Sequence, residues 1–199
     1  MAEPVGEAPG WDAIEQAFLA VYPGQESPAH FGTSNGELPN SCIWGVSAYQ
    51  GPAQWHLVTF GLSELWAKQG EDPAVSGWGF ELTLKVPRAE GEPAPPPWAT
   101  KLLKLVGDSV YRTGKPLAEG SRLDIGAPIT MPVISSLLAL ALTGDATVPP
   151  VETPNGRVEF LQVVGITAAE LERMKATSTS AVLEDLKQAN PGLLTDPSR

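Results

Sequence analysis

From Gly77 to Val86 the chain alternates with a period of two. Trp78, Phe80, Leu82, Leu84 and Val86 fall on one side, and Gly77, Gly79, Glu81, Thr83 and Lys85 on the other. Alternation sustained over that length specifies a strand with one face in the core, because successive strand side chains point to opposite faces. Half of the six tryptophans, Trp55, Trp66 and Trp78, sit between residues 55 and 86. Trp55, Trp78 and Phe80 are expected in the core.

Other elements follow by pattern around this strand. Residues 1–10 read as a flexible leader. Trp11, Ile14, Phe18 and Val21 then mark one face of a helix, stopped by Pro23-Gly24. Residues 25–40 read as loop. Two apolar-aromatic runs, 43–49 and 55–60, flank Gln50-Gly51-Pro52-Ala53 as a hairpin. A turn of helix is expected at 61–67 and a polar loop at 68–76. Pro97 opens a helix whose apolar face is Trp98, Leu102, Leu105 and Val106, ending near Gly114. A short strand is expected at 122–125. Residues 134–143 are largely apolar, unbroken from Leu137 to Leu142, so strand and helix remain open there. A strand follows at 157–164. A capping box, Thr167 with Glu170, then opens a helix, and a last helix from 180 to 189 ends at Pro191-Gly192. Strands and helices mix without strict alternation. The fold class is α+β, with a mixed sheet in a single domain over residues 11–196.

The formal net charge of −10 disfavours contact with nucleic acid or an anionic membrane surface. It either steers a basic protein partner inward or simply keeps the protein soluble. With Cys42 as the single cysteine, neither an intramolecular disulfide nor a multi-cysteine zinc site can form. The residues 1–10 lack a basic region and an apolar run, so no secretion signal is read and a cytoplasmic location is expected.

Catalytic signatures fail on context. Gly107-Asp108-Ser109 lies within a helix, Gly61-Leu62-Ser63-Glu64-Leu65 lacks the second glycine of a nucleophile elbow, and Gly77-Trp78-Gly79 has no following helix. The two histidines, His30 and His56, have no metal-ligand spacing. His56 reads as a packed or hydrogen-bonded structural residue on the strand face opposite Trp55. Cys42 reads as a buried small hydrophobe. Glu64, Asp72 and Glu81 either converge or face solvent and partners. No cofactor, no metal and no enzymatic activity are expected.

One run of residues is distinctive. Trp55-His56-Leu57-Val58-Thr59-Phe60-Gly61-Leu62-Ser63-Glu64-Leu65-Trp66 is followed, after a variable loop, by Ser76-Gly77-Trp78-Gly79-Phe80-Glu81-Leu82-Thr83. This resembles the suppressor of fused domain, whose pattern is WH-x-[VI]-[ST]-[FY]-GLS-[DE]-L-[YW] and then SG-[FW]-GFELT. Tyr22-Pro23-Gly24-Gln25, Val46-Ser47-Ala48-Tyr49, Pro96-Pro97-Trp98 and Pro150-Val151-Glu152-Thr153-Pro154-Asn155-Gly156 agree in order and spacing over nearly the whole chain.

The resemblance implies a twisted mixed, largely antiparallel sheet flanked by helices, and a non-enzymatic role in binding proteins. The animal member is a negative regulator of Hedgehog signalling that holds a transcription-factor peptide between two lobes, where the peptide adds as a strand. A chain ending near Asp196 is expected to lack the second lobe. Compact single-lobe relatives, known mainly from bacteria, are proposed immunity proteins that neutralise toxin domains, and an acidic inhibitor would associate quickly with a basic toxin. The favoured expectation is therefore immunity. A peptide-binding regulatory adaptor that uses a sheet edge comes second, and a cryptic hydrolase using His56 with Glu64 or Glu81 third. The family's partner contacts map onto Trp66 and Asp72. Trp66 is either a binding anchor, ringed by Glu64, Glu71 and Asp72, or a core residue.

Overall fold

The computed structural model describes residues 6–32, 41–130 and 134–199. The expected leader and the 25–40 loop fall partly outside these residues, at 1–5 and 33–40. Helix α1 spans Pro9–Val21, beginning two residues before the expected Trp11, with a proline in its first turn. The strands are β1 (Ala29–Gly32), β2 (Gly45–Gln50), β3 (Gln54–Phe60), β4 (Val75–Pro87), β5 (Arg122–Asp124), β6 (Leu137–Gly144), β7 (Val151–Thr153) and β8 (Gly156–Thr167). The other helices are α2 (Pro97–Thr113), α3 (Ala168–Ala176) and α4 (Thr179–Ala189).

The described strands form one sheet in the order β1-β2-β3-β4-β8-β6-β5, with β7 paired to β8. Among them only β4 and β8 pair in parallel, Leu82 opposite Leu161 and Leu84 opposite Val163. The remaining pairings are antiparallel. Parallel neighbours need a crossover, and the chain from α2 through β7 supplies it. The mixed, largely antiparallel sheet with flanking helices is the α+β architecture expected.

Helices cover both faces of the sheet. On one face α2 lays Trp98, Leu102, Leu103 and Val106 against Leu57, Leu82, Leu84, Leu161 and Val163. On the other, α1 packs Ile14 and Phe18 against Val58, Phe60 and Phe160. Farther along that second face α3 and α4 pack Leu171, Met174, Val182 and Leu183 against Ala139, Val164 and Ile166. Because β4 is central and covered on both sides, its residues from Phe80 to Val86 are all buried. The sequence reading placed one face of this strand in the core. Glu81, Thr83 and Lys85, on the other face, are buried as well.

Local differences have local causes. Residues 25–40 contain β1, which pairs with β2 through Ala29–Gly32. The 134–143 ambiguity resolves as β6, a strand held between β5 and β8. In α2 the buried position is Leu103, whereas Leu105, placed on the apolar face from sequence, is 44% exposed. Helix α2 ends as expected at Gly114, whose φ of 64° is the left-handed conformation glycine adopts at no steric cost. Thr167 and Glu170 make the reciprocal capping box at the start of α3. Cys42, read as buried, is half-buried, and burial together with the Asp108 carboxylate raises its thiol. The expected helical turn at 61–67 does not form.

Candidate functional site

The 61–67 segment is an irregular loop organised by a buried carboxylate. Glu81, on β4, points away from the α2 face and sits fully buried. Its Oε1 accepts from the backbone amides of Gly61 (3.0 Å), Leu62 (3.1 Å) and Ser63 (2.9 Å) and from the Ser63 hydroxyl (2.7 Å). Its Oε2 accepts from the Thr59 hydroxyl at 2.6 Å. Three successive amides turn onto one oxygen, so the path of the loop is set by a residue 18 to 20 positions away in sequence. Burial pushes the Glu81 carboxyl above its ordinary range, against the opposing pull of Thr59, Ser63 and Gly61.

Further bonds fix the loop from every side. Leu62 O accepts from Trp78 N, and Leu65 O accepts from Gly10 N at the start of α1. Asn155 donates to Glu64 O at 2.8 Å, Ser76 accepts from Glu64 N at 2.9 Å, and the Tyr111 hydroxyl donates to Gly61 O. Gly77 is required here. Its φ is +57°, and a Cβ would lie 2.6 Å from Leu62 O.

The expected partner-binding residues occupy the outer part of this loop. Trp66 is half-buried and meets Trp44 edge-on, with ring centroids 4.5 Å apart. One side of its ring packs on the α1 cluster, leaving the rest at the surface. Glu64 is turned inward. Its carboxylate pairs with Lys68 at 2.9 Å and accepts from Gln69 N at 2.7 Å. Burial raises that carboxyl, but Lys68 and the neighbouring amides outweigh it and hold the group below its ordinary range. Glu71 and Asp72 are exposed, and Asp72 also accepts from Ala74 N at 2.9 Å. The loop thus carries Trp66, Glu71 and Asp72 at the surface, while Glu64 closes the loop on itself.

A second polar group lies between the α1 and α3–α4 clusters. The strand register places His56 opposite Lys85, and both reach Asp145, whose side chain is fully buried. Asp145 Oδ2 accepts from His56 Nε2 (2.8 Å) and Thr83 Oγ1 (2.6 Å); Oδ1 accepts from Lys85 Nζ (2.8 Å) and Thr147 N (2.8 Å). The far nitrogen of His56, Nδ1, lies 2.9 Å from the hydroxyl of Tyr22, the residue that caps the C-terminus of α1. Lys85 also donates to Gln162, which in turn donates to Gly192 O and Leu193 O in the C-terminal segment. The seam ties α1, the sheet and the C-terminus together.

His56 is therefore a hydrogen-bonded structural histidine, the role read from sequence. Burial lowers its pKa, outweighing the Asp145 carboxylate that raises it. Burial raises the Asp145 carboxyl, but His56 and then Lys85 outweigh it and hold the group well below the usual carboxylate range. The unfolded chain takes a proton near 6.5 and the folded chain resists it, so His56 contributes full stability above 6.5 and loses it as pH falls toward the lower folded value. Urea midpoints measured from pH 7.5 down to 5 are expected to decline, and His56→Gln is expected to flatten that decline. An unchanged slope in the variant would remove His56 as the titrating group.

His56, Glu64 and Glu81 do not share a site. Glu81 serves the 61–63 amides, Glu64 serves Lys68 and Gln69, and His56 serves Asp145 and Tyr22. Of the two alternatives left open for Glu64, Asp72 and Glu81, convergence is not what the structure shows, because each carboxylate is directed to different donors. No group of three or more His, Cys, Asp or Glu side chains is placed to hold a metal ion among the described residues. No described helix is long and apolar enough to cross a membrane. Asp145, Lys85, Ser63 and Asn155 went unread in the sequence. The legible signal was the polar side of β4 together with His56 on the neighbouring strand. Their common partner, Asp145, lies 89 residues from His56.

Comparison with known proteins accounts for the same motif. The family model described as Suppressor of fused protein matches residues 39–199. The human and mouse proteins named Suppressor of fused homolog are each 34% identical over 158 residues, covering 74% of this chain and 32% of the relative. The chain thus spans about a third of the length of these curated relatives. A chain of the Sufu–Fu complex crystal structure superposes with a TM-score of 0.88 at 28% identity, covering 97% of this chain and 91% of that one. Drosophila Suppressor of Fused gives 0.86 at 27% identity, over 97% of this chain and 51% of that one. A homolog from Neisseria gonorrhoeae gives 0.64 at 14% identity, over 93% and 92%, a likeness of fold. With the family match running through the Glu81-pinned loop and strands β2 to β8, this chain belongs to the suppressor of fused family.

Proposed function

We propose that this domain binds a protein partner through the surface carrying Trp66, Glu71 and Asp72, and that it works by binding and not by catalysis. The observation behind the proposal is the loop itself. A half-buried tryptophan set edge-on against a second tryptophan follows the 61–63 amides that Glu81 holds, in a loop that also carries the exposed Glu71 and Asp72. A pre-ordered aromatic anchor loses little entropy on binding, which is what an interface hot spot requires. The partner favoured by a net charge of −10 is basic, and the specific role proposed is immunity: capture and neutralisation of a toxin domain in the cytoplasm. The test is co-expression with the toxin domain encoded beside this protein. Rescue of the cell, a stoichiometric complex and an affinity that weakens with salt are expected. Trp66→Ala is expected to raise Kd about 30-fold or more while leaving the fold intact. Absence of both complex and rescue would defeat the immunity role.

A second reading rests on β1, a four-residue strand at the edge of the sheet. One similar structure is named as a complex of Sufu with Fu, and an edge strand accepts an extended segment through main-chain bonds. A proline on the outer edge of β1 would abolish partner binding under this reading and leave it unchanged if Trp66 is the anchor.

A further inference from the structure

At the opposite end of β3 from the Trp66 loop lies a cavity of about 720 Å³, lined by the 24–29 turn, the β2–β3 turn, Trp55 and Arg88. The Arg88 guanidinium lies over the Trp55 ring, 5.2 Å from its centroid. The Trp55 indole N–H is fixed by Glu92 at 3.1 Å, and that same Glu92 oxygen takes the Ala89 amide at 3.2 Å. The aromatic platform and the backbone leading away from Arg88 are therefore both held. The Arg88 side chain has no ion pair or hydrogen bond among the described residues, and its buried Nε lacks an acceptor. Across the cavity, Gln25 satisfies both the N–H and the C=O of Gln50, at 2.8 and 2.9 Å, which fixes the opposite wall.

We propose that this cavity is a carboxylate-binding site in which Arg88, stacked on Trp55, takes the anion through its terminal N–H groups. A planar guanidinium matches a carboxylate as a fork, and stacking on an aromatic face pre-orders it for that contact. A phosphate, which concentrates two charges on one centre, suits the site less well than a planar carboxylate, because Glu26 also lines the cavity and the chain as a whole is acidic. The carboxylate can come from a small free acid or from an acidic side chain of a peptide. The site is separate from the Trp66 surface, so its failure would leave the partner-binding proposal standing.

The test is titration of the ¹⁵N-labelled protein at fixed ionic strength with succinate and with acetyl-Ala-Glu-Ala-amide. Succinamide and acetyl-Ala-Gln-Ala-amide serve as uncharged controls. The Trp55 indole N–H and Arg88 Nε–H resonances are expected to move saturably with an acid, with about tenfold or greater weakening for the matching amide and for Arg88→Gln. Tighter binding of the peptide than of succinate would assign the carboxylate to a peptide source. Equal or weaker binding would assign it to a small acid. Equal shifts from acids and amides, or no saturable shift with either acid, would overturn the proposal. The acid-to-amide comparison is made on the unmodified protein and so stands even if Arg88→Gln folds poorly.

Discussion

Asp145→Ala is expected to destabilise the domain by about 3–5 kcal/mol, the cost of leaving a buried charge without its partner. Four donors converge on this carboxylate, from His56, Thr83, Lys85 and the Thr147 amide. Removing it leaves the Lys85 ammonium, 2% exposed, with Gln162 as its remaining acceptor. It also strands the His56 N–H. A loss of that size is a large fraction of the roughly 5–15 kcal/mol typical of a domain and lowers Tm by roughly 6–20 °C. Lys85→Met combined with Asp145→Asn is expected to be less harmful than the sum of the two single changes, because each alone strands a charge and the pair does not. Thermal and urea unfolding of the four proteins would show it. Additive losses would mean that Lys85 and Asp145 do not depend on one another.

Glu81→Ala is expected to cost at least about 5 kcal/mol, by a different route. The three loop amides and the hydroxyls of Thr59 and Ser63 lose their acceptor inside the protein, at about 1–3 kcal/mol for each donor left unsatisfied. Glu81→Gln separates geometry from charge. Its amide oxygen can take the place of Oε1 and keep the Gly61, Leu62 and Ser63 bonds, while its NH₂ faces the Thr59 oxygen. The expected loss is then only about 1–2 kcal/mol, the difference between charge-assisted and neutral acceptance. A glutamine variant as damaged as the alanine variant would show that charge, and not the arrangement of acceptors, holds the loop. Either variant that loosens the loop is also expected to weaken partner binding through Trp66.

Much of the sheet could be read from the sequence because its signals are local. Period-two alternation marked β4, the turn residues 50–53 marked the β2–β3 hairpin, Pro97 and Gly114 bounded α2, and Thr167 with Glu170 announced α3. Elements set by distant partners were not legible. β1 exists because β2 offers an edge, and its four residues include a glycine that argues for loop. The apolar run at 134–143 becomes a strand by pairing with β5 and β8.

The candidate site shows the same division. Trp66 and the acidic loop were visible as composition, but the inward turn of Glu64 depends on Lys68 and on the path of the backbone at Gln69. The burial of Glu81, Thr83 and Lys85 follows from two later parts of the chain. Helices α1, α3 and α4 cover that face, and Asp145 and Gln162 supply polar partners that make it tolerable. A reading confined to β4 sees an alternating strand. The tertiary structure uses its polar side as an internal fastening for the loop at one end and the C-terminal segment at the other.

The central claim is that residues 61–63, though outside any helix or strand, belong to the rigid core because Glu81 holds their amides, and that this rigidity presents Trp66. Native-state hydrogen exchange of the unmodified protein tests it most directly. The Gly61, Leu62 and Ser63 amides are expected to exchange within about tenfold of the β3 amides, opening only with large-scale unfolding. The amide of the exposed Glu71 is expected to exchange far faster. Exchange of all three amides at the rate of Glu71 would contradict the account and leave Trp66 on a mobile loop.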